Sequence, residues 1–140
     1  MNLYFSCSLT GGRKDQVIYA HIVDHLLKHG HEVPTAHLAR PEVMALEKVV
    51  DPAEVYRRDI DWIDGCQAMI AEVSTPSLGV GYEYGLAVQL GKPVLCVYRS
   101  GSRMSKMITG NPAPNLTVAA YSSEAELDRQ VDAFLADLTS

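Results

Sequence analysis

The chain has 140 residues, 47% of them hydrophobic, and a formal net charge of −5. That size suits one compact domain spanning 1–140 with a full core. The acidic balance argues against a nucleic-acid partner, which needs a basic face or stripe, and no run approaches the ~18 apolar residues of a membrane span.

The opening stretch M-N-L-Y-F-S-C-S has no basic n-region and no signal-length apolar segment. It reads as a first strand, with its apolar run at 3–7. Cys7, Cys66 and Cys96 are odd in number and lie in or beside apolar runs. They read as small packing groups of a reduced, cytoplasmic protein. A helical pattern over 13–29 follows, with Gly30 at a natural C′ position. A second short run at 32–36 precedes a helical pattern at 52–66. Runs at 68–73 and 93–98 flank a third helix over 80–90. The stretch 101–115, holding Gly, Pro, Asn, Ser and two Met, is predicted as the longest irregular region. A last run at 116–120 leads into the clearest helix, 124–138. There Leu127, Val131, Phe134, Leu135 and Leu138 form one apolar stripe behind a Ser123–Glu126 capping box. Five strands alternating with helices predict right-handed crossovers and an α/β sandwich around a five-stranded parallel sheet.

In open parallel sheets, ligands bind beyond the carboxyl ends of the strands. Three segments are expected to meet there: S-L-T-G-G-R at 8–13, T-P-S-L-G-V-G-Y-E at 75–83 and R-S-G-S-R-M-S at 99–105. On a helical wheel, Val55, Trp62, Ile63 and Cys66 share one face of the 52–66 helix, and Asp59 lies in the middle of that face. Arg57, Asp61 and Asp64 fall on the other side. A carboxylate centred in an apolar stripe is costly unless it is paired or faces a cavity. Glu83 heads the stripe of Leu86, Ala87 and Leu90, and is expected in the first helical turn, where the macrodipole favours its charged form. Each acid has an ordinary reading: Asp59 paired with Arg58 or Arg99, and Glu83 a plain first-turn glutamate. Two inward carboxylates converging on one cleft favour a site instead, and paired carboxylates suit glycosidic bond chemistry. Gly79 and Gly81 then let backbone N–H groups approach a phosphate, with Glu83 one turn further on, at the sugar.

Other patterns carry less. His21, His25 and His29 repeat at i, i+4, i+8 but have no H-E-x-x-H or Cys partner, so they read as a solvated helix face. The glycines at 79, 81 and 85 do not have dinucleotide-fingerprint spacing. No G-x-S-x-G elbow or Walker loop is present. The chemistry needs neither a metal nor another cofactor.

The segments Y-F-S-C-S-L-T-G-G-R, H-L-A, R-D-I-D-W-I, A-E-V-S-T-P-S-L-G-V-G-Y-E-Y-G and S-K-M-I-T-G together resemble the 2'-deoxynucleoside 5'-monophosphate N-glycosidases. These are relatives of the nucleoside 2-deoxyribosyltransferases. The resemblance covers nearly the whole chain, and P-S-L-G-V-G-Y-E is its most specific segment. It implies a flavodoxin-like, Rossmann-like three-layer sandwich, assembled as a homodimer with sites at the subunit interface. It further implies that Glu83 is a nucleophile forming a covalent deoxyribosyl intermediate, and that Asp59 contacts the sugar and assists proton transfer. Tyr4 would position the nucleophile. Ser8, Ser77 and the backbone of Gly79 would hold the 5'-phosphate, Ser105 would reach that site from the neighbouring subunit, and His37 would lie beside the base.

Two positions depart from the pattern: Thr10 stands where the family commonly carries a basic residue, and Cys7 stands at a glycine position. Arg13, Arg99 and Arg103 are the candidate replacements for the missing charge. The expected reaction is hydrolysis of the N-glycosidic bond of a deoxynucleotide. Base exchange by deoxyribosyl transfer is the alternative within enzymes, and a non-catalytic nucleotide-binding module is the alternative outside them.

Overall fold

A computed structural model describes residues 1–9, 12–40, 42 and 49–140. Thr10, with its expected role near the substrate, and the side chain of Arg13 lie outside the described residues. The elements run β1 (Leu3–Ser6), α1 (Gly12–Lys28), a 3-10 turn (Ala36–Ala39), α2 (Pro52–Gly65), β2 (Ala68–Glu72) and α3 (Leu78–Gln89). They continue with β3 (Val94–Arg99), α4 (Lys106–Thr109), β4 (Leu116–Tyr121) and α5 (Glu124–Thr139). Among the described residues, the sheet has four strands in the order β1-β2-β3-β4, all parallel. No described helix is long and apolar enough to cross a membrane.

The period-two alternation of strand side chains divides the core into two layers. Leu3, Phe5, Ile70, Leu95 and Val97 face one way, against Ile22 and Leu26 of α1 and Leu127 and Val131 of α5. Tyr4, Met69, Ala71, Val94 and Cys96 face the other way, against Ile63 of α2 and Val80, Tyr84 and Ala87 of α3. The expected three-layer arrangement therefore holds, with α1 and α5 on one face and α2 and α3 on the other. All three cysteines are free and buried.

The expected fifth strand, 32–36, does not form. It contributes one parallel bridge, Asn2 to Glu32, and the chain then turns into the 3-10 helix. The local sequence explains this: Pro34 has no N–H to give a ladder. Thr35 replaces the missing backbone with its side chain, since its Oγ1 accepts from the Phe5 N–H at 3.0 Å and donates to the Phe5 carbonyl at 2.8 Å. The edge of β1 is thus satisfied by a hydroxyl in place of a strand.

Helix ends follow their signals. Gly30, with φ +84°, closes α1 as the Gly30 and His31 N–H groups donate to the carbonyls of Leu27 and Leu26. Ser77 caps α3, its Oγ accepting from the Val80 N–H at 3.3 Å. That cap starts the helix at Leu78, two residues before the expected boundary, so Glu83 lies in the second turn. The macrodipole contributes less to Glu83 than first-turn placement implied, because the effect falls off beyond that turn. The stretch 101–115 contains the single turn α4, capped by Ser105 and pinned to α3 by the Tyr84 hydroxyl, which donates to the Met107 carbonyl at 2.7 Å.

Candidate active site

Tyr4 and Ser6 stand two residues apart on β1 and project toward α3. Glu83, on α3, meets them there. The Tyr4 hydroxyl donates to Glu83 Oε2, and the Ser6 hydroxyl donates to Oε1 at 3.0 Å. Burial pushes the Glu83 carboxyl from 4.5 up to about 7. Its titration is thereby moved toward the neutral range. Such a group titrates where a nucleophile or base for aqueous chemistry needs to titrate.

Glu83 opens onto a cavity of about 620 Å³ between the carboxyl end of β1 and helices α2 and α3. Asp59 lines the same cavity from α2, as the wheel predicts, while Arg57, Asp61 and Asp64 are exposed on the far side. Arg58 Nε donates to Asp59 Oδ1 at 2.9 Å, and the Arg58 guanidinium lies 4.9 Å from the Trp62 ring centroid. Of the two arginines considered for Asp59, the neighbour in sequence is thus the one that pairs.

Five of the eight expected site residues line this cavity: Ser8, Asp59, Ser77, Gly79 and Glu83. Tyr4 is fully buried behind Glu83. A Cβ added at Gly79 would meet only Ser77 Oγ, at 3.9 Å, so packing within the chain does not demand glycine there. Two expected residues lie elsewhere. His37 does not line the cavity; it packs edge-on against Trp62, with ring centroids 6.0 Å apart, and its neighbour Leu38 takes the lining position. Both residues belong to the 3-10 turn that forms where the fifth strand was expected. Ser105 lines a second cavity, of about 670 Å³, which shares Ser77 and Val80 with the first.

Of the arginines considered as replacements for a basic residue at position 10, Arg99 is paired elsewhere. Arg99 Nη1 lies 2.7 Å from Asp15 Oδ1, and Asp15 also accepts from the Thr75 hydroxyl. Arg103 lines the second cavity. A neighbouring buried acid, Glu72, accepts from the Ser74 N–H at 2.7 Å, from the Ser74 hydroxyl at 2.9 Å and from Tyr121. Burial raises its pKa above the ordinary carboxylate value. Asp15 and Glu72 together tie the start of the 74–77 loop to α1, β3 and β4, and so fix the segment that delivers Ser77 and Gly79.

The family model for nucleoside 2-deoxyribosyltransferases matches residues 3–134. The chain belongs to this family. Among similar proteins, the 5-hydroxymethyl-dUMP N-hydrolase of Rattus norvegicus is 40% identical over 147 aligned positions, covering 99% of this chain and 90% of the rat protein. The protein of the same name from Danio rerio is 38% identical over 143 positions, covering 99% of each chain. The solved structure of Clostridium botulinum CMP N-glycosidase, BcmB, superimposes with a TM-score of 0.71 at 22% identity, covering 94% of this chain and 98% of that one. At that identity the likeness speaks for the fold alone.

Within this family member, sequence reasoning missed Ser6. A serine in a strand carries no signal of its own. The available clue was its spacing of two from Tyr4, which puts both hydroxyls on one face. The histidine face also differs from expectation. His21 lies 2.8 Å from Asp128 and 3.2 Å from Glu124, and His25 lies 2.7 Å from Asp132, so this face packs on the acidic side of α5. No described group of three or more His, Cys, Asp or Glu is arranged to hold a metal.

Proposed function

We propose that this protein hydrolyses the N-glycosidic bond of 2'-deoxynucleoside 5'-monophosphates, giving free base and 2-deoxyribose 5-phosphate. The observation that carries this reading is Glu83, gripped at both oxygens from β1 and facing a cavity that Asp59 shares. The names of the rat and zebrafish relatives, at 40% and 38% identity, support the substrate class. Ionised Glu83 attacks the anomeric carbon, and the bond's electron pair leaves with the base nitrogen, which is protonated with the assistance of Asp59. Water then attacks the same carbon, Asp59 assists removal of its proton, and Glu83 departs as a carboxylate. Two inversions give net retention.

Ser8, Ser77 and the Gly79 backbone hold the 5'-phosphate, and the apolar wall of Leu38, Val55 and Ile60 faces the base. The functional unit is a homodimer of single-domain chains, in which Ser105 of the partner subunit completes the phosphate site. Leu78 and Met107, 96% and 79% exposed beside the second cavity, supply apolar surface for that contact.

The test is a panel of nucleosides and nucleotides, with and without the 5'-phosphate, read as free base by chromatography. Deoxynucleoside monophosphates are expected to be cleaved, and Glu83→Ala is expected to lose about a thousandfold or more in kcat. Full activity in that variant removes Glu83 as nucleophile. Deoxyribosyl transfer is favoured as a second reading by the chemistry for which the family is named. Adding an acceptor base to the assay separates the two, because base exchange faster than hydrolysis marks a transferase. Tight monophosphate binding without cleavage marks a non-catalytic module.

A further inference from the structure

Side chains on β1 alternate, so Tyr4 and Ser6 reach the same carboxylate from neighbouring positions on one strand face. Their division of labour is specific: Tyr4 donates to Oε2 and Ser6 donates to Oε1 at 3.0 Å. Ser6 is only 1% exposed, so bulk water cannot take over its contact. A glutamate held at one oxygen keeps a broad torsion about its last bond, whereas one held at both has its plane fixed. Each donor also favours the charged carboxylate over the neutral acid.

The geometry points to Ser6 as a second positioning residue for Glu83, one whose hydroxyl fixes the carboxylate plane and favours its charged form. The inference rests on the reading of Glu83 as nucleophile. It assigns to β1 a pair of hydroxyls with distinct targets, where the family resemblance pointed only to Tyr4. Other titratable or charged groups that share the cavity with Glu83 are Cys7, just after β1, Tyr56 and Asp59 with its partner Arg58 from α2, and Tyr82 from α3. Cys7 is pushed up to about 12 by burial and stays neutral over the working range. Asp59 is matched by Arg58. The hydroxyls on Oε1 and Oε2 are therefore the contacts that most directly oppose the burial of Glu83.

Removing one of two donors raises the proton affinity of the acid, so the low-pH limb of kcat/KM moves upward. In Ser6→Ala the limb is expected to rise by about one pH unit from its parent position near 7. Relative to the parent, the variant then loses up to about tenfold more activity at pH 6 than at pH 9. Ser6→Cys, which keeps a weaker donor of similar size, is expected to lie between the two. Titration of the Glu83 carboxyl by carbon-13 NMR in glutamate-labelled protein, assigned by its absence in Glu83→Gln, is expected to show the same order without any substrate.

An acid limb and a titration midpoint in Ser6→Ala that match the parent overturn the inference. So does a loss that is uniform across pH with an unmoved midpoint, since that marks a packing role alone. If Ser6→Ala fails to fold by thermal unfolding, Ser6→Cys decides by the same two readouts. Should the parent cleave no N-glycosidic bond, the functional reading falls by itself, and the carboxyl titration still decides whether Ser6 holds Glu83.

Discussion

A carboxyl that titrates at about 7 in the folded chain and near 4.5 when unfolded binds its proton more tightly in the native state. The stability linked to that proton is complete below about pH 4.5 and is lost as pH rises toward 7. Glu83→Gln removes the ionisation. It is expected to exceed the parent in stability by about 2–3 kcal/mol at pH 8, with no gain at pH 4, as urea unfolding at the two pH values can check. The same group must be ionised to attack, so kcat/KM is expected to fall as pH drops below 7. The site thus opposes fold stability above neutral pH in the range where it is most reactive. The convergence of Glu83 and Asp59 on one cavity was legible in the sequence because inward acids mark them, and the family motif pointed to Tyr4 beside Glu83. The Ser6 contact was not legible, since it exists only once α3 lies against β1. His37 stands beside Trp62 and not on the cavity wall, a placement that follows from the 3-10 turn formed where a strand was expected.

Element by element, the four expected helices and four of the five expected strands are present, with ends within two residues. The exception is instructive in its physics. Glu32, Val33 and Pro34 look extended, and hydropathy does not reveal that a proline blocks the ladder while the next hydroxyl replaces it. Thr35 is fully buried, so its hydroxyl has no water to compete for it. Thr35→Val keeps the shape but leaves the Phe5 N–H and carbonyl without that partner. It is expected to cost about 2–4 kcal/mol in urea unfolding and to speed hydrogen exchange at the Phe5 amide. An outcome within about 0.5 kcal/mol of the parent would mean that neighbouring groups repair the edge. The capping box of α5 is half as drawn: Ser123 accepts from Glu126 at 3.1 Å, but Glu126 reaches back to the Ser122 N–H, one residue earlier than the motif specifies.

For the whole molecule, the two cavities meet at Ser77 and Val80, one facing Glu83 and the other facing the apolar surface around Leu78 and Met107. In the proposed homodimer a second copy sits on that surface and supplies its Ser105 to the phosphate site. Sedimentation is expected to give a dimer for the parent and a monomer for Leu78→Glu. Ser105→Ala is expected to raise KM for the nucleotide by about fivefold while leaving the phosphate-free nucleoside unaffected, as loss of one hydrogen bond to a charged group implies. A KM that rises equally for both substrates places Ser105 away from the phosphate. All three thiols lie inside the fold, and burial raises the pKa of each, Cys7 and Cys96 to about 12. The native thiols are therefore expected to react slowly with maleimides, and a cysteine introduced at Leu78 to be the fastest handle. A fluorophore attached there would sit at the proposed seam between subunits and report their exchange in real time, with no background mutations needed to clear the other sulfurs.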